Sequence, residues 1–475
     1  AALLSSSGVR WPWPLLLLMV AAVVAAIDPW ALLQPGFWLS FAAVGLLLVA
    51  ARAPERTATR RAAVMQALRH GLRTQVVATV GLAPLTLLFF QQMSLVGFAA
   101  NLVAIPLVTL IITPLALLGA LAPPLWTLAA ACVQGLSSLL QTLSTLPVAV
   151  WTAAVAPWWM QAAALAGAAL LVTPLPRWLR ALALPLMLPL FVPPIDRPEE
   201  GTMQVTVVDV GQGSAILVRT RTHALLHDTG AQYSPDSDAG SRVLVPLLRA
   251  LGVTRLDVLM LSHRDGDHVG GAAAVLAALP VTALSSSLEA AHPLLARRSH
   301  RRCEAGQAWS WDGVRFELLH PHASDYARTG AKPNTMSCVL AVTDAQGVRL
   351  LLTGDLEAEQ EARLVREQGA ALRSAVLVVP HHGSKTSSTP AFIDAVAPRV
   401  AVTQAGYRNR FGHPAAEVEQ RYVERGSAFV RSDACGAWLW TSGQAPICQR
   451  EVARRYWHWR PTPIGAELAT SGTRP

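Results

Sequence analysis

Between Arg73 and Arg177 the chain has no aspartate, glutamate, lysine or arginine. A soluble domain of that size needs charged groups on its surface. This stretch therefore constrains the fold more than any motif does. It needs apolar surroundings, and a bilayer supplies them to helices of about 20 apolar residues. Segments of that character lie near 12–27, 32–51, 74–91, 95–121, 125–146, 158–175 and 179–194. Together they predict a multi-pass, all-α membrane domain of about seven spans over residues 1–195. Trp11, Trp13, Trp30, Trp126, Trp151, Trp158, Trp159 and Trp178 fall near predicted span ends, where amphipathic rings favour the interface.

The net charge is +9, which invites a nucleic-acid reading. Its distribution argues otherwise. Residues 1–195 hold nine arginines against Asp28 and Glu55, while the remainder carries 30 basic and 28 acidic groups. The excess thus belongs to the apolar half, as basic loops beside membrane spans. Arg52, Arg56, Arg60, Arg61, Arg69 and Arg73 form one such loop and Arg177 with Arg180 another; both are expected in the cytoplasm, as is Arg10. Four predicted spans separate the two loops, so the parity agrees. If 179–194 crosses, everything after residue 195 lies outside the cytosol. Pro185, Pro189, Pro193 and Pro194 interrupt that span, and without it the rest is cytosolic. Five cysteines exclude a disulfide-built scaffold, and 52% hydrophobic residues exclude disorder. The start, without methionine, basic n-region or cleavage site, leads us to expect the C-terminal part of a longer protein.

Pro193 to Gly201 reads as a linker, and the texture then changes. Short β-rich runs at Val205–Val208, Ala215–Val218 and Ala224–Leu226 are separated by glycine turns. Helices are predicted near 243–251, 268–279 and 357–368, and strands near 257–261, 314–319, 337–343, 348–352, 375–379 and 400–403. Residues 196–450 are thus a mixed α/β domain, and 451–475 an arginine-, tryptophan- and proline-rich tail expected to be loosely ordered.

Twelve of the thirteen histidines lie after residue 200. Ser262-His263-Arg264-Asp265-Gly266-Asp267-His268 follows an apolar strand and precedes a helix opening at Gly270-Gly271. A loop can turn His263, Asp265, Asp267 and His268 inward together, which a regular strand or helix cannot. Imidazole with carboxylate suits zinc, manganese or iron. Leu350–Leu352 then runs into Gly354-Asp355, and Val376–Pro380 into His381-His382-Gly383-Ser384. Loops at strand ends are where α/β folds collect reactive groups.

These motifs, with Asp209-Val210-Gly211-Gln212-Gly213 and Asp228-Thr229-Gly230, resemble the metallo-β-lactamase fold. In combination they resemble the ComEC family of DNA-internalisation competence proteins. The apolar half is similar too, at Gly36-Phe37-Trp38-Leu39-Ser40-Phe41 and Asn101-Leu102-Val103-Ala104-Ile105-Pro106-Leu107. The resemblance implies an αββα sandwich with two divalent metal ions, manganese or zinc. His263 and Asp265 would hold one ion, Asp267 and His268 the other, with Asp355 bridging and His381 or His382 completing the second site. Asp267, His268 and Asp355 would carry the catalysis, since paired cations activate water and clamp a phosphoryl oxygen. Asp228, and with it Asp209, would support the ligands from behind. The alternative for Asp228 is a turn cap before Gly230.

Asn334 and Ser337 stand where a third-motif histidine is absent. With Ser384, Lys385 and His413 they are the expected substrate contacts. Lys385 reads equally as a solvated charge and His413 as a turn histidine, while His320 and His322 read as strand-end packing. Ser214 stands where the family motif has aspartate, and Asp265 where classical members have histidine; that oxygen ligand makes manganese plausible beside zinc. Cys435 and Cys448 would form a disulfide if the domain is periplasmic; separate small core cysteines are the alternative. Cys132 reads as a buried apolar residue.

The function so implied is uptake of transforming DNA across the bacterial inner membrane. The helical half would be a single-stranded DNA channel lined at Asn101, with Gln91, Gln134 and Gln141 either lining it or bonding between helices. The C-terminal domain would be a metal-dependent nuclease on the periplasmic or extracellular side. The implied partners are the membrane, DNA-delivering competence proteins and further copies of the chain. Two rivals are a DNA transport protein with a catalytically degenerate metal-binding domain, and a membrane-anchored metallo-hydrolase of another substrate class.

Overall fold

A computed structural model describes residues 11–50, 59–173, 175–296, 298–328 and 330–459. Arg10, Arg52, Glu55, Arg56 and the tail from residue 460 lie outside the described residues. The chain divides into two compact units, residues 1–195 with 249–252, and residues 196–248 with 253–475.

The first unit is helical, as its apolar texture predicts. Among the described residues, two helices are long and apolar enough to cross a membrane, Arg61–Phe90 and Gly97–Leu118. Trp13–Ile27, Pro35–Val49 and Trp158–Val172 are apolar but shorter. Pro124–Ser144 has the length, but Thr127, Gln134, Ser137, Ser138, Gln141 and Thr142 dilute its hydropathy. The expected span 179–194 forms two short helices, Arg177–Ala181 and Ala183–Phe191, the second with Pro189 inside it. Nor do Arg60, Arg61, Arg69 and Arg73 form a loop. They occupy the first half of one 31-residue helix, Arg60–Phe90. Arginine, alanine, leucine and glutamine are good helix formers, and the Thr59 hydroxyl caps the start by accepting from Ala62 N at 3.2 Å. Asn101, Gln134 and Gln141 are exposed on their helices, whereas Gln91 closes its helix in the left-handed region and donates to Leu88 O at 3.0 Å.

The second unit is built on two sheets. One has eight strands in the order His300–Arg302, Val281–Ser286, Leu256–Leu261, Ala224–His227, Ile216–Arg219, Gln204–Val207, Trp438–Thr441 and Ile447–Cys448. The other has seven, in the order Ala308–Trp311, Val314–His320, Val339–Thr343, Arg349–Leu352, Val376–Val378, Val400–Thr403 and Ala428–Arg431. Side chains alternate along each strand. Val205, Val207, Val218 and Leu225 of the first sheet share one buried core with Phe316, Leu340, Val342, Leu350 and Leu352 of the second. On the second sheet's other face, Ala341, Leu351, Leu377 and Ala401 pack with Leu364, Phe392, Val396, Val418 and Tyr422 of the helices Ala358–Gln368, Pro390–Val396 and Ala416–Glu424. Leu217, Leu226, Leu259 and Leu261 point away from the central core and are buried as well. The result is the αββα sandwich expected.

Parallel pairing positions the chemistry. Ala224–His227, Leu256–Leu261 and Val281–Ser286 run parallel, as do Arg349–Leu352, Val376–Val378 and Val400–Thr403. Parallel strands bring their C-terminal loops to one end of the sheet.

Candidate metal centre

Five such strand ends supply the centre. Asp228 follows Ala224–His227, the 262–268 loop follows Leu256–Leu261, and Asp355 follows Arg349–Leu352. His381-His382 follows Val376–Val378, and Gln404 follows Val400–Thr403. Asp228, His381 and His382 all have positive φ, at 60°, 49° and 53°. Non-glycine residues hold that conformation only where the surroundings over-determine it. Close backbone approach fixes the loop as well: a Cβ on Gly213 would stand 2.5 Å from Asp267 O. Its absence lets Ser214 N donate to that carbonyl at 3.0 Å.

The buried Nε2 atoms of His263, His268 and His382 have no hydrogen-bond partner among the described residues. Each ring is fixed through its other nitrogen. His268 Nδ1 lies 2.8 Å from Asp228 Oδ2, His263 Nδ1 lies 3.0 Å from Ser262 Oγ, and His382 Nδ1 lies 2.8 Å from Gln404 O. Ser262 in turn donates to Asp228 Oδ2 at 2.8 Å. With the proton on Nδ1, each Nε2 presents a lone pair to the same small space.

Asp355 divides that space in two. Its Oδ1 lies 3.1 Å from His268 Nε2 and 3.6 Å from His382 Nε2. Its Oδ2 lies 3.9 Å from His263 Nε2 and 3.7 Å from His381 Nε2. Asp265 Oδ2 stands 3.6 Å from His263 Nε2, and Asp267 Oδ2 stands 3.3 Å from His382 Nε2. Among the described residues two groups are tight enough to hold a cation: His263, His268 and Asp355, and Asp267, His268 and His382. Orphaned buried nitrogens beside acceptor-only carboxylates are what divalent zinc, manganese or iron takes, so this donor set fits such ions.

The electrostatics follow from the same contacts. Burial pushes the Asp355 pKa up, but the imidazoles of His268, His382 and His263 outweigh it and hold the carboxyl well below its usual range. Asp228 is held low in the same way by His227 and His268. Asp267, raised by burial, is brought down to about 2 by His382 and His268. Burial works to lower His268 and His382, but Asp355 with Asp228, and Asp355 with Asp267, raise them above the ordinary imidazole value. His381 is lowered by burial, against the opposing pull of Asp355. The centre is thus an acid–imidazole cluster in which a proton or a cation balances the carboxylates.

Several expected roles sit elsewhere. The Asp209 carboxylate is taken by Arg450 at 2.6 Å and by Gly211 N, so it backs no histidine. Lys385 is exposed and turns to Glu417 at 3.3 Å. The Ser384 hydroxyl lies 3.1 Å from that of Thr386. Ser337 is buried, its hydroxyl accepting from Asp355 N at 3.0 Å, so it positions the acid instead of facing a substrate. Asn334 stays at the rim, 3.5 Å from His381 Nε2 and 3.3 Å from Glu357. His413 lies there too, its ring 5.8 Å from His381 and 6.4 Å from His382. His320 Nδ1 donates to Ser337 O at 2.9 Å, away from the centre.

Ser262 and Gln404 were not singled out by sequence. Gln404 acts through its backbone carbonyl on His382, while its side chain bonds Ser214, Val208 and Ala215. Ser214 therefore serves as a brace for Gln404. Cys303–Cys338 and Cys435–Cys448 are disulfides; only the second pair was foreseen, as one of two alternatives.

With this geometry in hand, comparison with known proteins is direct. Residues 1–178 match the Competence protein family, and residues 208–406 the metallo-beta-lactamase superfamily. The chain is 39% identical over 453 residues to "Competence protein ComA" of Neisseria gonorrhoeae, covering 93% of this chain and 60% of that one. This chain is a homologue of the competence proteins. It is also 32% identical over 444 residues to "Uncharacterized protein YcaI" of Escherichia coli (strain K12), covering 90% of this chain and 56% of that protein. The homologue thus spans less than two thirds of the length of these curated relatives. Among solved structures, the metallo-beta-lactamase fold protein YhfI from Bacillus subtilis aligns with 51% of this chain and all of its own, at 13% identity and a TM-score of 0.34. The C-terminal unit of this competence-protein homologue is a metallo-β-lactamase domain, a fold of metal-dependent hydrolases.

Proposed function

We propose that this chain takes part in DNA uptake across the bacterial inner membrane, and that its metallo-β-lactamase domain is a two-metal phosphodiesterase acting on DNA. The observation that carries the enzymatic reading is the split Asp355 carboxylate. One oxygen faces His268 and His382 while the other faces His263 and His381. One ion would be held by Asp267, His268, His382 and Asp355. The other would be held by His263, Asp265 and Asp355, with His381 in the place left by the missing third-motif histidine. Divalent ions there supply Lewis acidity to a phosphoryl oxygen and lower the pKa of water. The chain's own part is orientation. Asp228, Ser262 and Gln404 fix the tautomers, and the positive-φ turn at His381-His382 aims two adjacent rings at one carboxylate.

The membrane reading rests on the charge-free stretch and on apolar side chains left exposed on its helices, such as Leu102, Ile105, Leu110, Leu117 and Trp126. The seven-span topology and the single-stranded channel at Asn101 extend this reading, as do DNA-delivering competence proteins as partners. The two disulfides favour an oxidising compartment for the C-terminal unit, hence the periplasmic or extracellular side.

The test uses the full chain in detergent, with single- and double-stranded DNA and manganese, zinc or chelator. Cleavage that needs metal and disappears in the Asp267→Ala, His268→Ala double variant is the expected result. A folded chain that binds two ions and cleaves no DNA would move the reading to a hydrolase of another substrate class; one that binds none would leave a transport protein with a degenerate domain.

A further inference from the structure

The loop from Gly406 to His413 reads Gly-Tyr-Arg-Asn-Arg-Phe-Gly-His, and no acidic residue lies between Gln404 and Glu417. Two of its aromatic rings are part-open to solvent: Tyr407, which packs on Trp459 at 5.0 Å between centroids, is 47% exposed and Phe411 54%. Each lies under a guanidinium, Arg408 at 5.2 Å and Arg410 at 4.8 Å. Exposed aromatics of this size contribute nothing to the core, yet the loop that carries them is rigidly built. Asn409 accepts from Phe411 N at 3.2 Å and from His413 N at 3.0 Å, and donates to Gly406 O at 3.0 Å. Gln212 anchors the near end by accepting from Gly406 N at 3.2 Å. The far end reaches the metal centre. Phe411 stacks on His413 at 5.7 Å with the planes 23° apart, and His413 faces His382 at 6.4 Å and 22°. A row of nearly parallel rings thus runs from solvent to a proposed metal ligand.

We propose that residues 406–413 form a stacking platform that binds single-stranded polynucleotide and leads it to the centre, Tyr407 and Phe411 taking bases and Arg408 and Arg410 taking phosphates. Unstacked bases have free π-faces for aromatic rings, and arginine adds phosphate and cation–π contacts. In a duplex those faces are covered by neighbouring bases. The platform therefore favours single strands over duplex. The proposal rests on the phosphodiesterase reading for the fate of the strand, but not for its binding.

The test is fluorescence anisotropy with the full chain in detergent, chelated so that no cleavage intrudes. The probes are a labelled oligo-dT and a duplex of equal length. The wild type is expected to prefer the single strand. Tyr407→Ala with Phe411→Ala should weaken single-strand binding about tenfold or more, with an unchanged thermal midpoint and little change for duplex. Tyr407→Phe with Phe411→Trp should restore it. Arg408→Gln with Arg410→Gln should lower the slope of log affinity against log salt by about 0.7 per arginine. Single-strand affinity unchanged by the alanine pair, or a wild type without strand preference, overturns the platform. Manganese-loaded cleavage run in parallel keeps the two ideas apart: binding without cleavage sinks the phosphodiesterase and leaves the platform standing.

Discussion

At the scale of single residues, Ser262 is the most consequential group to which the motif reading gives no role. Its hydroxyl bonds Asp228 and lies 3.0 Å and 3.2 Å from the Nδ1 atoms of His263 and His268. Ser262→Ala leaves both ligands present but loosens their orientation. Metal affinity should fall about 10- to 100-fold, as read by titration against a chelating dye; unchanged affinity would show that Asp228 alone sets the rings. The same cluster predicts a pH dependence. The folded pKa of Asp355 is well below 3.8, so its ionised form adds stability above that value and loses it as the pH falls. His268 and His382 are raised above 6.5. In metal-free protein their stabilisation is present below that value and is lost as the pH rises through the raised pKa. Chelated protein should therefore melt at lower temperature as the pH climbs past neutral, and manganese should abolish the decline by replacing the protons. A flat profile in chelator would contradict the proposed proton-for-metal exchange. The histidines and carboxylates that the fold gathers were legible because they cluster in sequence at strand ends. Gln404 was not, because a backbone carbonyl carries no residue signature. Asp209 misled for a related reason, as only the fold brings Arg450 to it.

At the scale of elements, the strands read correctly are those with long apolar runs in the sheet centres, such as Leu256–Leu261, Val339–Thr343 and Arg349–Leu352. The strands missed include Val281–Ser286 and Trp438–Thr441 inside one sheet, and His300–Arg302, Ala308–Trp311, Ala428–Arg431 and Ile447–Cys448 at sheet edges. Edge strands are short and half polar, so periodicity barely registers. The Cys303–Cys338 link joins the edge strand's end to the residue after Ser337, and Ser337 holds Asp355 N. Its 35-residue separation closes a loop whose reduction costs about 4 kcal/mol in the chain-entropy account. Cys303→Ser should thus lower the thermal midpoint by several degrees and weaken metal binding through Ser337. A variant that loses stability but keeps its metal affinity would confine the disulfide to a structural role. Gly213→Ala is the backbone counterpart. Its Cβ would press on Asp267 O at 2.5 Å with φ at 134°, so the ligand loop must shift, and metal affinity should drop with it.

At the scale of the whole molecule, the proposed placement of the C-terminal unit outside the cytosol makes a testable prediction. The charge-free stretch was legible because exclusion of charge over 74–176 has few physical explanations. The number of crossings was less so: a window of apolar residues does not say whether proline-broken segments such as 179–194 continue as one helix. Parity of spans turns on that one segment, whereas the disulfides bear on the compartment directly. Two pairs within one unit persist in an oxidising space and are kept reduced in the cytosol. Gln346 stands on an exposed turn of that unit, and Cys132 is the free cysteine among the described residues. Gln346→Cys in a Cys132→Ser background gives one reporter thiol. A membrane-impermeant maleimide should label it in right-side-out vesicles and, in inside-out vesicles, only after detergent. The reverse pattern would mean that 179–194 does not cross. The disulfides would then have to be open in the cell, Ser337 would lose its tether, and any strand met by the centre would be one that had already entered.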